Sequence, residues 1–276
     1  MEDSLNQKIL ALETWLKAKG RIGIAFSGGV DSSFLVSFAH KTLDEHNVFA
    51  YMARSPLVSK SESDEALEFC AKRNIVLRVF DFDAFSNPAI VRNDSDRCYH
   101  CKKALMYDLI TVAAQDGIDV IADGSNVDDK NDYRPGSRAL EECNIQSPLA
   151  NAGFTKQDIR QASKALELET WNKPSMACLA SRIPYGTAIT NADLNIVDAA
   201  ETHLRSMGFS QVRVRLPQKR TARIEIPADE IPRLAQSPTR DDALDYLVSL
   251  GFNSVSLDLK GYRTGSLNEQ LNNSND

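Results

Sequence analysis

Seven residues between an apolar segment and a helical one carry the first chemical signal of the sequence. The segment RIGIAF, residues 21–26, is followed by SGGVDSS at residues 27–33. A glycine pair there lets the backbone turn tightly, so that amide N–H groups and the positive end of the following helix can face an anion. The hydroxyls of Ser27 and Ser32 add donors, and the Asp31 carboxylate suits a Mg²⁺ ion held between phosphates.

Other readings of this glycine pair remain open on the residues alone. A simple glycine turn with a helix cap is the alternative for any isolated Gly-Gly pair. The phosphate loop of the common nucleoside triphosphatases needs a lysine before the serine, and the dinucleotide fingerprint needs a third glycine near Ser33. Neither is present in SGGVDSS.

The complete string after a strand resembles the pyrophosphatase loop of the adenine-nucleotide α-hydrolase superfamily, whose matching positions are Ser27, Gly28, Gly29, Asp31 and Ser32. Members of that superfamily cleave ATP between the α- and β-phosphates. The resemblance implies that an adenylylated substrate and pyrophosphate are formed. It also implies a second nucleotide loop at Gly124 and Ser125, which follow a strand-like segment.

Three cysteines form the second chemical signal. Cys98 and Cys101 make a CxxC pair just ahead of a predicted helix, and Cys178 lies in WNKPSMACLASRIPYG. The pair fits a redox couple, or, with His100 and Cys178, a zinc site. Three thiolates without a fourth protein ligand fit a [4Fe–4S] cluster with one iron left open, which can hold an extra sulfide.

The other two cysteines carry less information. Cys70 falls on the apolar side of a predicted helix and is expected in the core. Cys143 follows Glu141 and Glu142, whose charges would raise the pKa of its thiol rather than activate it.

Arginines on a predicted strand form the third signal. The strand period places Arg213 and Arg215 of VRVR on one face. That face is either a solvated outer surface or a site for carboxylates or phosphate, which guanidinium groups bind as forks. Ser181 and Arg182 follow Cys178 in a proline-bounded loop, where we expect Arg182 to be anchored.

A glutamate precedes the arginine strand on a predicted helix that begins with Thr190 and Asp193 in capping-box-like spacing. Glu201 is either a general base or an ion-pair partner of Arg205 at i+4, and we favour the ion pair.

The elements that position these residues alternate along the first two thirds of the chain. Short apolar runs predict strands, separated by helical patterns. The strands are RIGIAF, VFAYMA, VLRVFDF and DVIADG, and the helices span 30–43, 62–74 and 102–114. This order predicts a parallel sheet with right-handed crossovers, so the fold class is α/β and Rossmann-like.

After PYG at 184–186 the pattern changes to a helix, the strands VRVRL and ARIEI, a helix at 241–250 and a last strand, SVSLDL. We therefore predict a nucleotide domain at 1–186 and a smaller α/β domain at 187–276.

The charge and hydrophobicity of the sequence restrict the kinds of partner that the protein is expected to have. The chain has 276 residues, a formal net charge of -6 and a pI of about 5.4. A broad electrostatic grip on nucleic acid is therefore not expected. No segment approaches the roughly 20 apolar residues that cross a bilayer, and the N-terminus lacks the pattern of a targeting segment. We expect a cytoplasmic protein without nucleic-acid or membrane partners.

With these residues in view, the chain resembles the LarE family of ATP-dependent sulfurtransferases, which help to build a nickel-pincer nucleotide cofactor. The resemblance rests on SGGVDSS, NDYRPG, WNKPSMACLASRIPYG, VRVR, RIEI and LDLKGYRTGSLN, and it spans nearly the whole chain. The family adenylylates a carboxylate of pyridinium-3,5-biscarboxylic acid mononucleotide and replaces it with a thiocarboxylate.

The resemblance implies roles for the remaining residues. Arg213 and Arg215, with Ser181 and Arg182, would bind the substrate anions, and sulfur would be delivered at Cys178. Family members use either a three-cysteine cluster that carries sulfide or one cysteine that gives up its own sulfur. Because all three cysteines are present, we favour a cluster on Cys98, Cys101 and Cys178. The resemblance also implies ATP and Mg²⁺ as ligands and a homo-oligomer.

Two rival functions remain. Another adenylylating enzyme, such as a tRNA thiolase, would be expected to carry a more basic surface. A non-catalytic adenylate sensor would keep the loop but would not need three cysteines and an arginine face.

Overall fold

The computed structural model describes residues 2–131, 135–174 and 177–263. Its contacts divide the chain into two units. The first comprises Met1–Ser55, Ser61–Ile90 and Asp96–Met176, and the second comprises Pro56–Lys60, Val91–Ser95 and Ala177–Asp276. The predicted boundary after Gly186 stays a prediction, and the contact division falls earlier, before Ala177.

Most of the helices and strands lie in the first unit or cross its boundary with the second unit. In chain order they are α1 Glu2–Lys19, β1 Ile22–Ala25, α2 Val30–Thr42, β2 Val48–Arg54, α3 Lys60–Lys72, β3 Val76–Asp81, α4 Pro88–Val91, α5 Arg97–Gln115, β4 Ile121–Ala122, α6 Pro135–Glu142, α7 Pro148–Asn151 and α8 Lys156–Ala165. In the second unit follow α9 Asn191–Ser206, β5 Arg213–Gln218, β6 Thr221–Glu225, α10 Ile231–Leu234, α11 Thr239–Ser249 and β7 Ser254–Leu257.

The first four strands form one parallel sheet in the order β3-β2-β1-β4. The predicted parallel α/β core is thereby confirmed. A further parallel bridge joins Ala122 to Gln146 beyond β4. The connection that follows β1 therefore leads to β2 on one side, and the connection that follows β4 leads to Gln146 on the opposite side of the sheet.

The strands of this sheet have almost continuously apolar sequences because their side chains are buried on both faces of the sheet. Along β2 the side chains of Ala50 and Met52 join the core cluster, while Phe49 and Tyr51 point to the other face. On that other face the Tyr51 hydroxyl donates to Asp116, which follows α5. Both faces are thus covered, as is usual for parallel sheets.

The core of the first unit lies between the sheet and the helices α1, α2, α3 and α8. Its aromatic side chains include Phe34, whose ring centroid is 5.7 Å from that of Phe154, and Phe26, 5.8 Å from Phe69. The packing fixes α2, and hence the corner that precedes it, against the sheet.

The second unit holds a three-stranded sheet in the order β5-β6-β7. Strands β5 and β6 are antiparallel, and β6 and β7 are parallel. Helix α9 begins after Thr190, whose side chain accepts from the Asp193 amide, as the capping pattern predicts. Among the described residues, no helix is long and apolar enough to cross a membrane.

Candidate functional site

The predicted phosphate corner joins β1 to α2. Gly28 has a φ of +67°, and a Cβ built there would lie 2.8 Å from the Cβ of Ala66 on α3. Both the backbone conformation and the lack of space require glycine. Helix α2 then starts at Val30 with Gly29 as its N-cap, and Asp31 lies in the first turn.

Serine hydroxyls hold the corner in shape. The Ser27 amide lies 3.3 Å from the Ser32 Oγ, the two hydroxyls are 3.2 Å apart, and Ser32 donates to the Gly29 carbonyl at 3.3 Å. The first amides of a helix have no acceptor within that helix, and they carry its positive dipole. The corner therefore has the donors and the shape to cradle a phosphate.

The second predicted loop lies against the first. A Cβ at Gly124 would lie 2.9 Å from the Ser32 amide nitrogen, so only glycine allows the loop after β4 to approach α2 so closely. The two loops follow adjacent strands whose connections leave in opposite directions. Such a switch point at the carboxyl edge is the usual ligand site of an open parallel sheet.

The hydroxyl of Ser125, the other predicted residue of this loop, donates to the Asp123 carboxylate. Ser147 donates to the same carboxylate at 2.7 Å. Asp123 is buried and directly follows β4. Sequence reasoning missed Asp123 and Ser147, which tie the second loop to the segment beyond it.

Two lysines near the corner were also missed. The Lys156 ammonium is 2.6 Å from an Asp31 carboxylate oxygen. Lys173 donates to the Gly28 carbonyl at 3.1 Å and pairs with Glu65 at 2.8 Å. Only Lys173 had a sequence signal, because it lies in WNKPSMACLASRIPYG.

A cavity of about 410 Å³ borders Gly28 and Lys173. Three carboxylates are among its lining residues: Glu65, Glu68 and Glu169. Each of these carboxylates has a cationic partner: Lys173 for Glu65, Lys72 for Glu68 and Arg73 for Glu169. This side of the corner is therefore lined by ion pairs, and Lys72 and Lys173 are themselves among the lining residues.

Cys98 and Cys101 lie at the N-terminal end of α5, which begins at Arg97. The prediction that this pair precedes the helix was wrong, because the helix starts five residues earlier than the apolar pattern indicated. Residues at i and i+3 are neighbours on a helix surface. An Arg97 nitrogen lies 3.6 Å from the Cys98 sulfur.

Cys178 belongs to the second unit and is exposed, as is Cys98. Within either unit, the described residues contain no group of three or more His, Cys, Asp or Glu side chains placed to hold a metal ion. The donor chemistry of Cys98 and Cys101 fits two ligands of an iron–sulfur cluster, since both are sulfur donors and they are neighbours on one helix surface. Between them in the sequence, the Nε2 atom of His100 lies 3.1 Å from an Asp96 carboxylate oxygen.

Cys70 and Cys143 are both buried. Burial raises the pKa of Cys70 to about 12. Burial also raises the pKa of Cys143, and Glu142 adds to the shift. The core position predicted for Cys70 is confirmed, and neither thiol is activated.

A buried ion pair organises the second unit. Arg182 and Glu201 are 1% and 0% exposed, and they form two hydrogen bonds of 2.8 Å each. Arg182 also donates to the carbonyls of Ala177 and Cys178, at 2.6 and 3.1 Å. The anchoring predicted for Arg182 is thus present, and it fixes the backbone that carries Cys178.

Glu201 accepts two further donors. The Val214 amide lies 2.9 Å away and the Arg205 guanidinium 3.4 Å away. Burial alone would raise the pKa of Glu201, but Arg182, Arg213 and the Val214 amide outweigh it and hold the pKa below its ordinary value. A carboxylate with a lowered pKa is a poor base, so the geometry favours the ion-pair role over a general base.

The arginine strand is buried rather than solvated. Arg213 and Arg215 are 2% and 8% exposed, which overturns the outer-surface interpretation. Arg215 pairs with the buried Glu225 at 3.0 Å and donates to the Ser181 carbonyl. Arg213 lies over the Tyr262 ring, and burial followed by the charge of Arg182 lowers its pKa.

Among the described residues, arginines outnumber carboxylates in this network. Two fully buried carboxylates, Glu201 and Glu225, pair with Arg182, Arg205, Arg215 and Arg223, and Arg213 lies beside them. Asp258 lies 3.8 Å from Arg223 at the edge. Arg182, Arg213 and Arg215 are buried, whereas Arg205 and Arg223 are partly exposed. A cluster of guanidinium groups of this kind suits an anionic ligand.

The fold and these sites define an α/β protein with a Rossmann-like parallel sheet and a glycine corner at its switch point. The chain is 37% identical over 269 residues to the pyridinium-3,5-bisthiocarboxylic acid mononucleotide synthase of Lactiplantibacillus plantarum, covering 97% of this chain and 96% of that enzyme. The chain therefore belongs to the LarE family.

Two other relatives are uncharacterized proteins. One, from Synechocystis sp., is 38% identical over 97% of this chain and 99% of its own length. The other, from Methanocaldococcus jannaschii, is 31% identical over 94% of this chain and 98% of its own length. No protein-family model matches the chain.

The Glu201 ion pair predicts a pH-dependent stability. Glu201→Gln leaves the buried Arg182 charge uncompensated and should lower the free energy of unfolding by about 3–5 kcal/mol at pH 7. Because the folded-state pKa of Glu201 is depressed, its contribution is present above the unfolded value of about 4.3 and is lost as pH falls through the folded value. Urea denaturation of both proteins from pH 7 down to 3 should show their difference shrinking.

The matched control is Glu141→Gln, which alters an exposed carboxylate and should cost almost nothing at any pH. A difference between wild type and Glu201→Gln that stays constant down to pH 3 would contradict the ion-pair account.

Proposed function

We propose that the protein is an ATP-dependent sulfurtransferase that converts a carboxylate of pyridinium-3,5-biscarboxylic acid mononucleotide into a thiocarboxylate. The observation that carries the proposal is the glycine corner between β1 and α2, with Gly124 against its amides. The name of the Lactiplantibacillus plantarum relative supports the product class.

Adenylylation is the proposed first reaction. A carboxylate oxygen of the substrate attacks the α-phosphorus of ATP, the α–β bond breaks, and pyrophosphate leaves. The corner amides and the residues Ser27, Gly28, Gly29 and Ser32 would bind the departing phosphates, with Gly124 and Ser125 beside them. Asp31 would hold Mg²⁺, which when bound supplies positive charge for the phosphate oxygens.

The chemical reason for adenylylation is the leaving group. A carboxylate oxygen leaves poorly, whereas AMP leaves readily when sulfur attacks the acyl carbon. The attack forms the carbon–sulfur bond and breaks the bond to AMP. One α–β bond of ATP is thus cleaved for each thiocarboxylate that is formed.

Two sources of sulfur are compatible with the cysteines. Cys98, Cys101 and Cys178 would hold a [4Fe–4S] cluster, which when bound would supply sulfide from its open iron. In the rival route the Cys178 thiolate attacks the acyl adenylate and AMP leaves. Loss of the Cys178 α-proton then breaks its Cβ–S bond, giving the thiocarboxylate and dehydroalanine. The exposed Cys178 supports either route, and the complete set of three cysteines favours the first.

The arginine network is the proposed substrate-anion site. Arg213 and Arg215 would meet the carboxylates and phosphate of the substrate, since arginines outnumber carboxylates among the described residues of the network. Ser181 and Arg182 would position this site, because the Ser181 carbonyl accepts from Arg215 and Arg182 holds the adjoining backbone. Homo-oligomer assembly and a cytoplasmic location stay predictions.

The bond that breaks is the direct test of the proposal. The protein incubated with ATP, Mg²⁺ and the biscarboxylic mononucleotide should release AMP and pyrophosphate in equal amounts, which nucleotide chromatography and a pyrophosphate assay measure. Omission of the mononucleotide should abolish most of the release. Formation of ADP and phosphate would overturn the assignment of the corner.

The proposed iron–sulfur cluster should give the protein a visible colour. Anaerobically purified protein should be brown and contain iron and acid-labile sulfide in similar amounts. Cys98→Ala should bleach it, because one of three ligands is lost, whereas Cys70→Ala should retain the colour. Colourless active protein in which Cys178 loses the mass of one sulfur per turnover would establish the sacrificial route instead.

A further inference from the structure

Lys156 is placed against the carboxylate that is assigned to the metal ion. Its Nζ lies 2.6 Å from an Asp31 oxygen, although the two residues are far apart in the sequence. Both side chains are partly buried. Asp31 lies in the first turn of α2, next to the corner amides.

The backbone of Lys156 is held by several independent interactions. It is the first residue of α8, after Thr155, whose side chain forms a capping box with Asp158. The Lys156 amide donates to Asp128 at 2.8 Å. Asp158 also pairs with Lys8 of α1 at 2.6 Å. The Lys156 side chain therefore starts from a fixed point, and only its own rotamer entropy is lost when it reaches Asp31.

A carboxylate in the corner creates an electrostatic conflict. Asp31 repels the triphosphate that the adjacent amides attract, unless a cation lies between them. A divalent cation resolves the conflict when it is present. The Lys156 ammonium, already in contact with the same carboxylate, can resolve it when the cation is absent, because an ammonium has three donors to share between Asp31 and a phosphate oxygen.

We propose that Lys156 is a positioning residue that neutralises Asp31 and lets the corner bind the triphosphate of ATP before Mg²⁺ arrives. The inference rests on the proposed function, since it assumes that ATP binds at this corner. With Mg²⁺ held by Asp31, the Lys156 ammonium would be available to the phosphate oxygens. ATP and Mg²⁺ therefore enter in either order.

The test measures ATP binding to the full chain by equilibrium dialysis, once with EDTA and once with saturating Mg²⁺. Lys156→Met should weaken metal-free binding by roughly tenfold or more, the loss of one charge-assisted contact. The loss should be several times smaller with Mg²⁺. Lys156→Arg should keep most of the metal-free binding, because it keeps the charge.

Removing the Asp31 charge as well should restore metal-free ATP binding to the Lys156→Met variant. In the double variant Lys156→Met with Asp31→Asn, metal-free binding should return to within a few fold of wild type, because the repelling carboxylate is gone. Lys164→Met, on the same helix but over the Trp171 ring, is the matched control and should bind ATP like wild type in both conditions.

Two outcomes would overturn the inference separately from the proposed function. If Lys156→Met weakens binding equally with and without Mg²⁺, and Asp31→Asn gives no rescue, Lys156 is only structural. Unchanged metal-free binding in Lys156→Met would also overturn it. Failure of the wild-type protein to bind ATP with Mg²⁺ would contradict the proposed function itself.

Discussion

The close approach of Gly124 to the Ser32 amide is the constraint on which the candidate nucleotide site depends. There is no room for a Cβ between the loop after β4 and the first turn of α2. Because both loops follow adjacent parallel strands, the approach places two backbone segments at the switch point of the sheet. The hydroxyls of Ser27 and Ser32 then hold the corner in the shape that α2 requires.

The second unit depends on a different constraint, the burial of charge. Arg182 and Glu201 are almost fully removed from water, so loss of either partner would leave the other charge buried and uncompensated. The cost of their burial is offset by complete pairing, since Glu201 also accepts from Val214 and Arg205. The same guanidinium binds the carbonyl of Cys178. The integrity of this network and the position of the Cys178 backbone are therefore linked.

Much of the fold followed from local patterns in the sequence. The strands of the first sheet were readable because their apolar runs reflect burial on both faces, and Thr190 with Asp193 marked the start of α9. The corner residues were identified because glycine and serine types in SGGVDSS report backbone geometry directly. The family resemblance rested on longer motifs and was confirmed by the relatives.

What the sequence did not predict are contacts between residues that are distant along the chain. Nothing in the local pattern joins Lys156 to Asp31, or Glu201 to Arg182, because side-chain ion pairs leave no periodic signal. The start of α5 was misplaced because its first turn, around Arg97 and Cys98, lacks an apolar period. Burial of Arg213 and Arg215 was left open because alternation gives the face of a strand but not what covers it.

The central claim is that the amides of the corner bind the triphosphate. Amide chemical shifts of ¹⁵N-labelled protein, titrated with α,β-methylene-ATP and Mg²⁺, test it most directly. The account predicts that the largest shifts fall within residues 27–33 and at Gly124. Largest shifts elsewhere, with residues 27–33 unchanged at saturation, would contradict it.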